Sequence, residues 1–261
     1  MTRRIGFFDS GIGGITVLHD AAALLPEEDF IYYADTENAP YGTKSTGEVR
    51  KLVSDSIDFI VNKDVKAVVI ACNTATSAAV EELRRIYSIP IIGMEPAVKP
   101  AVEKNGRQQR RVIVTATPLT LKEEKLKNLI SRVDNEHIVD LLPLPELVKF
   151  AEKYQFTGEM VKDYLEEEFS RFDPDQYGTV VLGCTHFIFF KNALKEILPS
   201  HIEIIDGNTG TVNNLKRILE NRGEAGGGKG RIDYYISGRP ATETGELGNI
   251  EKLFRTLADM K

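Results

Sequence analysis

The feature that most limits what this chain can fold into is a regular alternation of short aliphatic runs with amphipathic stretches. Runs such as Val68-Val69-Ile70 are apolar without interruption, which suits strands covered on both faces, as in a parallel sheet. Strands are expected at Arg4–Phe8, Phe30–Ala34, Ala67–Ala71, Ile89–Gly93, Arg111–Thr115, Val139–Leu142, Thr179–Gly183, Glu203–Ile205 and Asp233–Ser237. Helical stripes fall between them. Val49, Leu52, Val53, Ile57 and Ile60 follow a capping box of Ser45 and Glu48. Ala79, Val80, Leu83, Ile86 and Tyr87 form a second stripe. Met160, Val161, Tyr164, Leu165, Phe169 and Phe172 form a third within Thr157–Phe172, and its aromatics and Met are read as core. Alternation of this kind builds an α/β fold with parallel sheets.

At 261 residues the chain can form one large domain or two lobes, each with its own core. Two stretches read as seams: Pro96–Gln109, polar and carrying two prolines, and Gly207–Thr211. Ala225–Gly230 is glycine-rich and is expected to be a flexible loop. An internal similarity argues for two lobes of one architecture facing each other. Val68-Val69-Ile70-Ala71-Cys72-Asn73-Thr74 matches Val180-Val181-Leu182-Gly183-Cys184-Thr185-His186 in its order of aliphatic, small, Cys and polar residues. Upstream, Ile5–Ser10 and Val112–Thr117 are each a strand ending in small polar residues.

Charge and cysteine usage narrow the function classes. There are 33 Lys and Arg against 39 Asp and Glu, a net charge of −6, with no long basic cluster, so a nucleic-acid partner is not expected. No apolar run reaches bilayer length, so no membrane partner is expected either. The basic start Thr2-Arg3-Arg4 precedes only Ile5-Gly6-Phe7-Phe8 before Asp9, too short for a signal peptide, and a cytoplasmic protein is the expectation. There the two cysteines are expected as thiols rather than a bridge.

Those two cysteines, Cys72 and Cys184, carry the chemistry. Each closes a parallel strand and opens a helical pattern, where open α/β sheets place their ligands. A helix N-terminus there favours the thiolate, the reactive form. If the lobes face each other, two thiols on opposite walls of one cleft could act as paired bases on one carbon, the arrangement a racemase needs. Each acid–base step of that kind is worth about 10²–10⁴-fold. The plainer alternative is a pair of buried structural thiols, free Cys being among the most buried residue types.

Other polar groups surround this idea. Asp9-Ser10-Gly11-Ile12-Gly13-Gly14 ends the first strand with small residues that let a ligand approach the backbone before a helix N-terminus. Asp9 could cap that helix, or orient Cys72 and accept a substrate ammonium. Pro40-Tyr41-Gly42 reads as a turn. Gly42-Thr43-Lys44-Ser45 is not a phosphate loop, because the upstream glycine is absent. His186 stands two residues after Cys184 and could act as an acid beside it. A zinc site from Cys72, Cys184, His186 and Asp9 lacks the close Cys pairing of structural sites, and no metal is expected. His19, His137 and His201 receive no role, and no lysine stands at a matched position as a pyridoxal phosphate enzyme would need.

Taken together, Asp9-Ser10-Gly11-Ile12-Gly13-Gly14, Pro40-Tyr41-Gly42, Cys72-Asn73-Thr74-Ala75 and Leu182-Gly183-Cys184-Thr185-His186 resemble the glutamate racemase family, within the aspartate/glutamate racemase superfamily, in order and spacing over nearly the whole chain. The resemblance implies a cofactor-independent interconversion of L- and D-glutamate that supplies D-glutamate for peptidoglycan, and a homodimer. It implies two α/β lobes, each a mostly parallel sheet flanked by helices, with the active site in the cleft between them. The chain would return to the first lobe near its end, so that residues 1–96 and 207–261 form one lobe and 97–206 the other. The paired bases would be Cys72 and Cys184, and the assisting acids Asp9 and His186. Substrate contacts would fall on Asp9, Ser10, Tyr41, Gly42, Asn73, Thr74, Thr185 and His186, with Pro40 in the same turn. An accessory carboxylate would fall on Glu152, and a substrate-binding threonine on Thr117 or Thr120. The chain departs from the family's habit at Phe187-Ile188, where Tyr-Pro is common, and at Lys149-Phe150-Ala151-Glu152, where Pro-Leu-Val-Glu is frequent. Related activities on aspartate, another amino acid or a hydantoin remain open on the same scaffold, as does a ligand-binding or thiol-based regulatory protein.

Overall fold

The computed structural model describes residues 3–259. Residues 1–2 and 260–261, which include Thr2 of the basic start and the far end of the expected first lobe, lie outside the described residues. The strands are β1 (Arg4–Asp9), β2 (Phe30–Ala34), β3 (Val65–Ile70), β4 (Ile91–Gly93), β5 (Arg111–Ala116), β6 (Val139–Pro143), β7 (Tyr177–Leu182), β8 (Glu203–Asp206), β9 (Ile232–Ile236) and β10 (Arg239–Pro240). All nine expected strands are present with ends moved by a residue or two. Ile89 and Gly183 fall outside their strands, and the two-residue β10 was not foreseen.

The chain divides into two compact units, Met1–Met94 with Asn208–Lys261, and Glu95–Gly207. The first holds a six-stranded sheet in the order β10-β9-β2-β1-β3-β4, and the second a four-stranded sheet in the order β6-β5-β7-β8. Every neighbouring pair is parallel except the β9–β10 hairpin. The order β2-β1-β3-β4 therefore recurs as β6-β5-β7-β8. The likeness reaches single hydrogen bonds. Ala71 N–H donates to the Phe8 carbonyl at 2.8 Å, as Gly183 N–H donates to Thr115 at 2.7 Å. Asp35 N–H donates to Asp9 at 3.0 Å, as Leu144 N–H donates to Ala116 at 3.1 Å. The register also slips at the same point, after Arg4 against β3 and after Arg111 against β7.

Burial on both faces explains the unbroken aliphatic runs. β3 and β7 are buried at every residue, and β1 and β5 at every residue but the first. The capping box holds: Ser45 accepts a hydrogen bond from the Glu48 N–H at the start of helix Thr46–Val61, whose Val49, Val53, Ile57 and Ile60 are buried.

Four expectations need correction. Ile86 is 57% exposed, because helix Asn73–Ile86 ends there and Tyr87 turns extended, leaving Ile86 past the packed face. Met160 is 63% exposed: in helix Glu159–Phe169 the buried face is Val161, Leu165 and Phe169 at four-residue spacing, and Met160 lies off it. The polar stretch after Pro96 holds a helix, Val98–Gly106, whose Val98, Ala101 and Val102 pack into the second unit's core. The glycine-rich segment is tied down rather than loose. Gly226 N–H donates to Glu28 Oε1 and Gly228 N–H to the Glu27 carbonyl, both at 2.6 Å. Lys229 and Arg231 N–H groups donate to Asp29 at 2.8 and 3.0 Å, and they hold its carboxyl below the usual range. Beneath the segment Lys66 Nζ donates to the Glu224 carbonyl at 2.6 Å and pairs with the buried Glu28 at 2.6 Å.

Candidate active site

In the first unit the chemistry gathers at the C-terminal ends of β1, β2 and β3. Asp9, the last residue of β1, is fully buried, and its Oδ1 accepts a hydrogen bond from the Gly11 N–H at 2.9 Å. It does not cap the following helix: the cap residue of Ile15–Leu24 is Gly14, with no side-chain cap. Gly14 packs on Asp9 so closely that a Cβ there would lie 2.6 Å from the Asp9 Cβ and 3.1 Å from the Ala71 Cβ. The small residues after β1 thus let helix and strand ends close around the carboxylate.

Cys72 caps the helix Asn73–Ile86, and its Sγ accepts from the Ala75 N–H at 3.4 Å. A sulfur at a helix N-terminus with an N–H aimed at it is in a setting that stabilises negative charge. The Ser10 hydroxyl lies 3.5 Å from the same sulfur. Asn73 is buried, and neither its amide nitrogen nor its amide oxygen has a hydrogen-bond partner. Such a group is costly unless something else meets it. Pro40 follows a cis peptide bond, and Tyr41–Thr43 forms a single 3₁₀ turn. Tyr41 donates its hydroxyl to Asp35 Oδ2 at 2.6 Å. Burial first, then that hydrogen bond and the charges of Asp35 and Cys72, push the Tyr41 phenol far above its ordinary range, so it stays a donor.

In the second unit Cys184 stands at the equivalent place after β7. The element it opens is a 3₁₀ segment, Thr185–Phe190, which leads into helix Lys191–Ile197, and the Cys184 side chain makes no cap there. A direct strand-to-α-helix turn was expected. Instead His186 Nδ1 lies 3.7 Å from Cys184 Sγ, and its Nε2 lies 2.5 Å from Glu152 Oε1 at the end of helix Pro145–Glu152. His186 is buried, which by itself disfavours the imidazolium. The hydrogen bonds to Cys184 and Glu152 outweigh this and raise its pKa well above the usual value. Gly183 is needed at the strand end, because a Cβ would sit 2.6 Å from the Thr115 carbonyl oxygen. Thr117 and Thr120 are buried with their hydroxyls 2.9 Å apart. By the matched hydrogen bonds of β1 and β5, Thr117 holds the position in its sheet that Ser10 holds in the first. Thr185 is buried beside Cys184.

Neither cysteine is in a disulfide, and both are buried. Among the described residues no grouping of His, Cys, Asp and Glu is arranged to hold a metal ion. The motifs thus gather into two half-sites built on one plan, each with a thiol after a buried strand and a carboxylate within the same unit.

The sequence profile of the Asp/Glu/Hydantoin racemase family matches residues 16–215. This chain belongs to that family. Among the relatives of this racemase-family chain are glutamate racemase 2 of Bacillus subtilis (strain 168), 49% identical over 97% of this chain and 96% of the relative, and the glutamate racemase of Halothermothrix orenii, 53% identical over 90% and 93%. A crystal structure of glutamate racemase from Francisella tularensis in complex with D-glutamate superposes with a TM-score of 0.78 at 29% identity, covering 90% of this chain and 88% of that one. The chain is an isomerase-family protein of two α/β units, as its motifs implied.

Two residues of the racemase half-sites carry no signal in the sequence that marks them. Asp35 belongs to no motif, although an acid directly after a buried strand repeats the placing of Asp9. Ser237 reads only as a strand end, because its partner Asp35 is distant in sequence.

Proposed function

We propose that this chain interconverts L- and D-glutamate without a cofactor, with Cys72 and Cys184 as the two bases serving opposite faces of the α-carbon. One sulfur, as thiolate, takes the α-proton, and the C–H electron pair passes to the α-carbon and its carboxylate. The other thiol gives its S–H proton to the opposite face and becomes the thiolate. The roles exchange in the reverse direction. The observation that carries this reading is the equivalent placing of the chain's only two cysteines, each two residues past the end of a buried strand in sheets of one strand order.

The remaining roles follow from each half-site. Asp9 orients the Cys72 side and accepts the substrate ammonium. Ser10, Tyr41, Gly42, Asn73 and Thr74 supply neutral donors and acceptors, and the unpartnered Asn73 amide is the clearest ligand group among them. On the other side His186, set by Glu152, works at Cys184, while Thr185 and Thr117 contact substrate. Neutral donors at helix ends suffice for the substrate's two carboxylates, so an acidic protein is no obstacle. Glutamate is favoured over aspartate or a hydantoin because the high-coverage relatives are named for glutamate. D-Glutamate for peptidoglycan, a cytoplasmic location and a homodimer belong to the same reading. The relatives named as glutamate racemases support the enzyme reading from which these follow.

The test is chiral chromatography or circular dichroism of glutamate with the purified protein, without added cofactor. In D₂O, deuterium enters the α-position. Cys72→Ser and Cys184→Ser each abolish racemisation with the fold intact, and full racemisation by either variant defeats the two-base reading. Faster turnover of aspartate or hydantoins would reassign the substrate.

A further inference from the structure

The first unit carries two strands, β9 and β10, that have no counterpart in the second unit's sheet. They extend the sheet at the edge of β2, beside the segment that leads to Tyr41. β9 pairs in parallel with β2, Ile236 opposite Ala34, and the chain then turns through Ser237 and Gly238, both at positive φ (44° and 86°). Glycine adopts that conformation freely, and serine does so only against steric resistance. The serine is bound on three sides. Its N–H donates to the Ala34 carbonyl at 2.8 Å, its Oγ donates to Asp35 Oδ1 at 3.2 Å, and the same Oγ accepts from the Glu37 N–H at 3.1 Å. Arg239 on β10 adds an ion pair with Glu37.

Asp35 is the junction. It is buried, its Oδ2 accepts the Tyr41 hydroxyl at 2.6 Å, and Asn38 Nδ2 donates to both of its oxygens at 3.0 and 3.1 Å. A buried carboxylate is tolerable only while such donors meet it, and its orientation is set by them. The Tyr41–Thr43 turn in turn packs on helix Asn73–Ile86, the helix that Cys72 caps. A continuous series of hydrogen bonds therefore runs from the β9–β10 turn through Asp35 to the turn that bears Tyr41 and Gly42.

We infer that the β9–β10 hairpin braces the Tyr41–Gly42 turn, and that Ser237 and Asp35 are positioning residues for substrate binding at the Cys72 half-site. This rests on the racemase reading above. The late return of the chain to the first unit thereby serves to hold the loop after β2.

The decisive variant is Ser237→Gly, which removes the hydroxyl yet suits the positive φ, so the fold survives with at most a modest fall in thermal midpoint. KM for both glutamate enantiomers should rise by about tenfold, the loss expected when a hydrogen bond to a charged group is removed, with kcat changed far less. In an Asp35→Asn background the same substitution should add nothing. Unchanged KM, or fully additive effects in the double variant, overturns the brace. A wild-type protein that does not racemise glutamate overturns the racemase reading instead. The brace is then read by proton NMR from the Tyr41 hydroxyl resonance, assigned by its loss in Tyr41→Phe. A shift of that resonance in Ser237→Gly supports the brace, and an unmoved resonance refutes it.

Discussion

Glu152→Gln tests how the second half-site is held. His186 Nε2 and Glu152 Oε1 are 2.5 Å apart, closer than the usual charge-assisted N–H···O hydrogen bond. The His186 side chain is 3% exposed and that of Glu152 is 21% exposed. A hydrogen bond to a charged group contributes about 1.5–3 kcal/mol. Water can reach one edge of Glu152, so the lower figure applies, or about tenfold in rate. Glutamine keeps the shape and loses the charge, so His186 gives up its proton at lower pH than in the wild type. Free enantiomers have equal free energy, so kcat/KM must fall by the same factor in both directions, while kcat and KM separately need not. The assay is circular dichroism of glutamate from neutral to alkaline pH, starting from each enantiomer. The expected result is a loss of about tenfold and an alkaline limb displaced to lower pH. Stability should follow the same sign. A raised histidine pKa lends stability that is complete below the ordinary imidazole range and is lost as pH rises through the elevated value. In Glu152→Gln that contribution is smaller and is exhausted at lower pH, which thermal melts across pH will show. A pH–rate profile that overlays the wild type would refute the assignment of Glu152 as the group that holds His186.

Two further outcomes test the packing beneath the sites. Gly14→Ala drives a methyl group to within 2.6 Å of the Asp9 Cβ, and overpacking of this kind costs about 1–3 kcal/mol. Thermal melts should show a clear fall in midpoint, and a melt unchanged from wild type would mean the helix start shifts freely. Lys66→Met strands the buried Glu28 carboxylate and frees the glycine-rich segment, at a cost of about 3–5 kcal/mol in urea unfolding. Adding Glu28→Gln should recover part of the loss, and no recovery would show that the pair is not the cause.

Much was legible in the order of residues because it depends on local rules. Val68-Val69-Ile70 and Val180-Val181-Leu182 are apolar throughout because a strand covered on both faces has no wet side, and that marked them as parallel-sheet strands. The Ser45–Glu48 cap was readable for the same reason: its partners are three residues apart. Matched runs of aliphatic, small, Cys and polar residues singled out Cys72 and Cys184 as candidates, since that likeness is read within seven residues at each place. What could not be read depends on partners distant in sequence. Nothing near Met160 or Ile86 says that one falls off the buried face and the other beyond its end. The glycine-rich segment looks loose until Glu28, Asp29 and Lys66, far up the chain, take its backbone groups. Glu152 carried a role only by resemblance until folding set it beside His186, 34 residues on, and Asp35 carried none until Ser237 and Tyr41 met it. The sequence by itself determined the placing of the nine main strands and the chemical kind of the candidate groups, because periodicity and residue type act over a few residues. Only the tertiary structure decided which carboxylate serves which partner, because a hydrogen bond depends on distance in space and not on separation along the chain.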